Sequence, residues 1–144
     1  MNIKVAIGSD HAGFELKQKL IDYLKNKGVN CLDKGTFGLE RADYPDYGHM
    51  VARAVANREV SFGILMCGSG NGINMSANKH KGIRAALCWN SEIAALARQH
   101  NDANILVLPA RFISMEEAFK CVDVFISEKF EGGRHQIRVD KIDI

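Results

Sequence analysis

The 144-residue sequence has little excess charge of either sign: its formal net charge is +2, and its Lys and Arg residues are scattered. With no basic tract, it lacks the electrostatic footprint of a nucleic-acid-binding protein. Nor does any apolar run approach the roughly 20 residues of a membrane-spanning helix. The four cysteines, Cys31, Cys67, Cys88 and Cys121, stand far apart and include no C-x-x-C pair, which excludes the common zinc and redox motifs. They read as reduced thiols of a cytoplasmic protein. Met1-Asn-Ile-Lys-Val runs directly into a strand-like pattern, so no signal peptide is expected. Nothing resembles a linker or a low-complexity segment. The expectation is a single domain over residues 1–144, long enough to bury a substantial core.

What the sequence does contain is ordinary globular composition, 47% hydrophobic and 25% charged, arranged as a repeated alternation of strand and helix patterns. The strands are expected at Ile3–Gly8, Val29–Leu32, Ser61–Met66, Ile83–Leu87 and Ala103–Leu108. Helical spacing fills the intervals: Gly13 to Lys27, a segment with Met50, Val51, Ala54 and Val55 as its apolar positions, Asn71–Lys79, Ser91 to about Gln99, and Met115–Ile126. Ser91 has the residue type of a helix cap. A short last helix is expected at about 133–140. Strands as continuously apolar as Ile105-Leu-Val-Leu fit burial on both faces. The pattern predicts a Rossmann-like, three-layer α/β/α fold with a five-stranded parallel sheet. Ligands of such folds bind at the carboxyl ends of the strands.

The most informative stretch is Cys67-Gly-Ser69-Gly-Asn-Gly72, which follows an apolar strand and precedes a helical pattern. A strand–glycine loop–helix junction gathers free backbone N–H groups at the positive end of a helix, where anions bind. The same electrostatics favour the thiolate of a cysteine at the loop entrance. A tight turn alone also accounts for the glycines. A nucleotide site fits less well, because the spacing is G-x-G-x-G and no Gly-Lys-Ser/Thr phosphate loop occurs.

Chemistry-bearing residues recur elsewhere: Gly8-Ser-Asp10-His11-Ala-Gly13, Asp33-Lys-Gly, Asp43-Tyr44-Pro45, Asn78-Lys, Gly82-Ile-Arg-Ala, Arg98-Gln-His100-Asn101-Asp102 and Glu131-Gly-Gly-Arg134-His135-Gln-Ile-Arg138. Together with the glycine loop, and in this order along nearly the whole chain, these motifs resemble the ribose/galactose isomerase family. That family holds B-type ribose-5-phosphate isomerases and galactose-6-phosphate isomerase subunits. The resemblance implies aldose–ketose isomerisation of D-ribose 5-phosphate and D-ribulose 5-phosphate through an enediolate, a step of the non-oxidative pentose phosphate pathway. It also implies no metal or organic cofactor, and a homodimer or dimer of dimers whose pockets are built from two subunits. In such pockets His100, Asn101 and Arg111 are expected to face the partner's Cys67.

The resemblance assigns roles residue by residue. Cys67 is the base that moves the C2 proton, and Ser69 passes a proton between O1 and O2. Gly68, Gly70, Asn71 and Gly72 present backbone N–H groups to the enediolate oxygens, an oxyanion-hole arrangement. His100 opens the furanose ring, since an imidazole near its ordinary pKa of about 6.5 both donates and accepts a proton. A histidine near a helix end is otherwise a dipole-compatible cap. Asn101 hydrogen-bonds sugar hydroxyls, and Asp10 partners the sugar or a histidine. Arg134 and Arg138, four apart and thus on one face of a helix, grip phosphate with Arg111 and His11 as co-ligands. The bland alternative for that pair is an exposed basic face. Asp43 and Tyr44 approach the sugar, although Asp as a cap and Pro45 in the first turn explain the segment structurally. His135 receives no role, and Trp89 is open to packing or to lining a pocket wall.

Three other readings stand beside this one. The first is the same chemistry on a hexose 6-phosphate. The second is a silent phosphosugar-binding module, which an intact Cys67/His100 pair disfavours. The third is a thiol hydrolase, for which the sequence offers no clear Cys–His–Asn case.

Overall fold

Apolar strands and amphipathic helices assemble here into one twisted layer covered on both sides. The structure, a computed structural model, describes residues 3–144, so Met1-Asn2 and the expected leaderless start lie outside the described residues. Five parallel strands form the sheet: β1 (Lys4–Ser9), β2 (Asn30–Asp33), β3 (Phe62–Cys67), β4 (Ala85–Leu87) and β5 (Ile105–Pro109), in the order β2-β1-β3-β5-β4. The helices are α1 (Phe14–Asn26), α2 (Tyr44–Ala56), α3 (Asn71–Ala77), α4 (Ser91–Asn101), α5 (Met115–Ser127) and α6 (Arg134–Asp140), and a short 3-10 turn, His11–Gly13, precedes α1. The expected α/β/α architecture is therefore present.

Strand alternation decides which helices cover which face. Val5, Ile7, Ile64, Met66, Leu106 and Leu108 join the core formed with Leu20 and Leu24 of α1, Ala94 and Ala97 of α4, and Val122 and Phe125 of α5. Their neighbours Ala6, Leu65, Cys67, Ile105 and Val107 point the other way, against Val51 and Val55 of α2 and Ile73 and Ala77 of α3. This is the two-residue period of a strand, used on both faces at once. Burying one such Leu or Ile fully contributes about 1.5–3 kcal/mol.

Local chemistry adjusts several expected boundaries. β4 starts at Ala85 rather than Ile83, because the Arg84 N–H donates to the Asn104 side chain at 2.8 Å. Asn90, not Ser91, caps α4, its Oδ1 accepting from the Ile93 N–H at 2.9 Å. That helix also runs two residues past the expected Gln99, to Asn101. It stops at Asp102, whose φ of 48° is left-handed. Asp43 occupies the cap position of α2 but makes no capping bond, which leaves its carboxylate uncommitted. Met50, expected on the apolar face of that helix, is 42% exposed, while Val51, Ala54 and Val55 are buried.

One buried charge shapes the rim above the sheet. Lys17 is fully buried, and its Nζ donates to Asp33 Oδ1 at 2.6 Å. The same oxygen accepts from the Gly35 N–H at 2.9 Å. The Gly35 carbonyl in turn accepts from Ser9 at 2.8 Å, and the Thr36 N–H donates back to the Ser9 carbonyl at 2.7 Å. The loop after β2 is thus tied to the last residue of β1, directly ahead of Asp10. Removing one partner of a buried ion pair costs about 3–5 kcal/mol.

Candidate active site

In the order β2-β1-β3-β5-β4 the chain turns to opposite sides between β1 and β3, so their carboxyl ends part and leave a crevice. Ser9-Asp10-His11 leaves one side of it and Cys67-Gly68-Ser69 the other.

Cys67 ends β3 with 5% exposure, its side chain on the face covered by α2 and α3. The turn that follows is held by short local bonds. Ser69 Oγ accepts from the Asn71 N–H at 3.2 Å, and the Gly70 carbonyl accepts from the Asn74 N–H at 3.1 Å. Gly70 has a φ of +80°, and a Cβ there would stand 2.5 Å from Leu87 Cδ1, so both conformation and space require glycine. No side chain caps α3. Ser69 already takes the Asn71 N–H, and the next amides, of Gly72 and Ile73, remain available to an anionic ligand.

Two further groups close over this loop. Arg111 follows β5, its N–H donating to the Gly68 carbonyl at 3.0 Å, and its guanidinium lies 3.2 Å from where a Gly68 Cβ would be. This places a fixed cation beside the residue that follows the thiol. The Tyr44 ring sits directly on Gly72. Across the crevice, Asp10 is buried and accepts from the Gly13 N–H at 3.2 Å. A hydrogen bond joins His11 Nδ1 to the Ala42 backbone, whose N–H lies at 3.2 Å and whose carbonyl lies at 3.3 Å. That bond also draws the segment before Asp43 and Tyr44 toward the crevice. Asp10, His11, Asp43, Tyr44, Cys67, the glycine loop and Arg111 are thus brought together at one end of the sheet.

The remaining candidates lie elsewhere. Because α4 leaves the carboxyl end of β4 and returns to the amino end of β5, His100 and Asn101 sit at the opposite end of the sheet from Cys67. β5 alone separates the two ends by about 13 Å, at about 3.3 Å per residue. α6 packs against α4 there and brings Arg134 and Arg138 with it. The His100 and His135 rings stack with centroids 4.3 Å apart. Arg138 Nη1 donates to the Arg134 carbonyl at 3.3 Å. Arg111 is therefore grouped with Cys67 within one chain and not with His100, a difference from expectation that follows from the 3.0 Å bond of its backbone to Gly68. Trp89 is exposed.

The other thiols are unsuited to proton transfer. Burial raises Cys31 to about 11, helped by the Asp33 charge, and raises Cys88 and Cys121 each to about 12.

Sequence reading passed over several residues on which this geometry depends. Lys17, fully buried on the inner face of α1, is one of them. Arg98 is buried, donating to the Ala103 carbonyl at 2.6 Å and to Asp102 at 3.0 Å, with its guanidinium over the Phe62 ring. Glu131 lies with His100 and His135. A Lys or Arg on the apolar face of a helical pattern was the available signal for the first two.

Residues 5–142 match the model of a family described as Ribose/Galactose Isomerase. The chain belongs to that family. It is 49% identical over 139 residues to ribose-5-phosphate isomerase B of Escherichia coli, covering 96% of this chain and 93% of that protein. The crystal structure of a ribose 5-phosphate isomerase from Thermotoga maritima superposes with a TM-score of 0.98 at 52% identity, covering 99% of each chain. Ribose-5-phosphate isomerase B from Mycoplasma genitalium, with bound ribulose-5-phosphate, superposes with a TM-score of 0.93 at 46% identity, covering 99% of this chain and 95% of that one.

Proposed function

We propose that this chain is an aldose–ketose isomerase that interconverts D-ribose 5-phosphate and D-ribulose 5-phosphate. The observation that carries this reading is the match, over 99% of the chain, to a family member holding ribulose-5-phosphate. The crevice supplies the chemistry the reaction needs. The Cys67 thiolate takes the C2 proton of the open-chain aldose and returns it to C1. The enediolate oxygens receive N–H groups from Gly68, Gly70, Asn71 and Gly72, and Ser69 moves the proton between O2 and O1. Preorganised donors of this kind stabilise charge that develops only in the transition state. Asp10, Asp43 and Tyr44 hold the sugar, while Arg111 and His11 take part in the phosphate grip.

Ring opening and the rest of the grip come from a second subunit in this reading. His100, Asn101, Arg134 and Arg138 lie at the far end of their own sheet, so they reach a thiol only when two copies pair and one presents them to the partner's Cys67. A homodimer, or a dimer of dimers, with shared sites accounts for both clusters. The match over residues 5–142 supports one domain. Four unpaired thiols suit a reducing cytoplasm. No helix among the described residues is long and apolar enough to cross a membrane.

The test is ribulose 5-phosphate formation from ribose 5-phosphate by purified protein in EDTA, with hexose 6-phosphates run in parallel. Turnover of the pentose despite the chelator is expected. Turnover of a hexose alone would keep the mechanism and change the substrate, and ligand binding without any turnover would leave a binding module.

A further inference from the structure

At the amino end of the sheet, three side chains point their ligand atoms at one another. His100 Nε2 lies 3.8 Å from Glu131 Oε1, His135 Nε2 lies 3.6 Å from the same oxygen, and all three atoms fall within 4.8 Å of one another. Donors around a tetrahedral zinc ion, with bonds of about 2.0–2.2 Å, stand about 3.3–3.5 Å apart. The two carboxylate distances thus need to contract by only a few tenths of an ångström.

We propose that His100, Glu131 and His135 form a reversible binding site for a zinc-class transition-metal ion, and that its occupancy inhibits the isomerase by withdrawing His100 from ring opening. The inhibitory half of this proposal rests on the role given to His100 above; the binding half does not.

Two observations support it. His135 is 9% exposed, and its buried Nε2 has no hydrogen-bond partner among the described residues. An unpaired buried nitrogen carries a desolvation cost that a metal bond would offset. Glu131 is anchored, because its N–H donates to the Gln99 carbonyl at 3.0 Å, one residue before His100.

The set is selective by chemistry. Two imidazoles and one carboxylate suit Zn²⁺, Co²⁺ or Ni²⁺ and not Mg²⁺ or Ca²⁺, which take oxygen ligands. Three protein ligands leave a fourth position open. The rings now stack with planes 12° apart, so coordination turns His100 out of the stack toward the ion. Its side chain is 38% exposed at a helix end and has room to do so. Arg134 and Arg138 repel a cation, which sets the affinity below that of a dedicated zinc site and keeps the ion exchangeable.

The experiment uses full-length, chelator-treated protein, titrated with Zn²⁺ by equilibrium dialysis and assayed for turnover at the same concentrations. One ion per chain is expected, with turnover falling in step and returning on addition of EDTA; Mg²⁺ should do neither. His135→Gln and Glu131→Gln should each weaken zinc binding about tenfold or more, keep their metal-free turnover and resist zinc inhibition. Glu131 is exposed, so its variant stays informative if His135→Gln melts early. Unchanged zinc affinity in both variants would overturn the proposal. So would loss of zinc binding in Cys67→Ser alone, which would assign the ion to the thiol. Zinc held by these residues with turnover intact would overturn the inhibition and the ring-opening role of His100, while supporting the metal site.

Discussion

The Tyr44 ring lies so close over Gly72 that a Cβ on Gly72 would overlap its Cε1 and Cζ atoms. A residue at the start of α2 and a residue in the first turn of α3 therefore share one contact above the crevice. Gly72→Ala must evict the ring, and kcat/KM is expected to fall about tenfold or more, by the loss of aligned contacts. In a Tyr44→Ala background the same substitution should cost little, because its partner is already gone. Equal losses in both backgrounds would show that the added methyl group disturbs the loop itself and does not act through Tyr44.

The division of candidates between two ends of the sheet makes a sharp prediction for mixed oligomers. Cys67→Ala and His100→Ala should each be inactive as pure proteins. Co-refolded in equal amounts, they should recover about a quarter of wild-type turnover: half of random dimers are mixed, and a mixed dimer has one intact site of two. Mixtures that remain inactive would mean that Cys67 and His100 do not serve a common site across a subunit boundary.

Arg138 is placed to hold the phosphate, a group that does not change during the reaction. Uniform binding of that kind lowers KM without raising kcat. Arg138→Ala is therefore expected to raise KM about tenfold or more with kcat nearly unchanged, read from steady-state kinetics. A loss confined to kcat would contradict the phosphate assignment.

Two histidines give stability an acid dependence. His80 is lowered from its ordinary value, first by burial and then by His49 and Arg53, and His135 is lowered first by burial and then by His100 and Arg134. His49 Nδ1 and His80 Nε2 are 2.7 Å apart, so one must accept a proton from the other, and charging both breaks the bond. A base with a depressed folded-state pKa binds fewer protons folded than unfolded between the two values. Stability is thus fullest above about pH 6.5, the unfolded value, and declines as pH falls toward the lower folded values. Melting temperature should drop on acidification through that window. His80→Asn and His135→Gln, combined, should flatten the drop. An unaltered slope would assign the acid sensitivity to other groups.

Much of this was legible in the linear chain, for local reasons. Continuous apolar runs such as Ile105-Leu-Val-Leu specify strands buried on both faces, and glycine at Gly70 is demanded by a turn within its own few residues. Cys67 stood out for the same reason, since strand, loop and helix are contiguous around it. The fine limits were less legible: β4 is shortened by Asn104, a partner distant in sequence, and two adjacent residues of capping type, Asn90 and Ser91, compete until the Asn90 bond to Ile93 decides between them.

By itself, the sequence determined an α/β/α chain with a parallel sheet, a thiol at the head of a glycine loop, and the motifs that mark its family. Those follow from periodicity and from residues adjacent in the chain. Only the tertiary structure decided which candidates meet. Parallel strands force every connecting helix to return to the amino end, so α4 carries His100 away from Cys67, while Arg111, leaving the carboxyl end of β5, lands beside Gly68. It also decided that Lys17, Arg98 and His135 are buried, because burial depends on which faces pack and not on residue type alone.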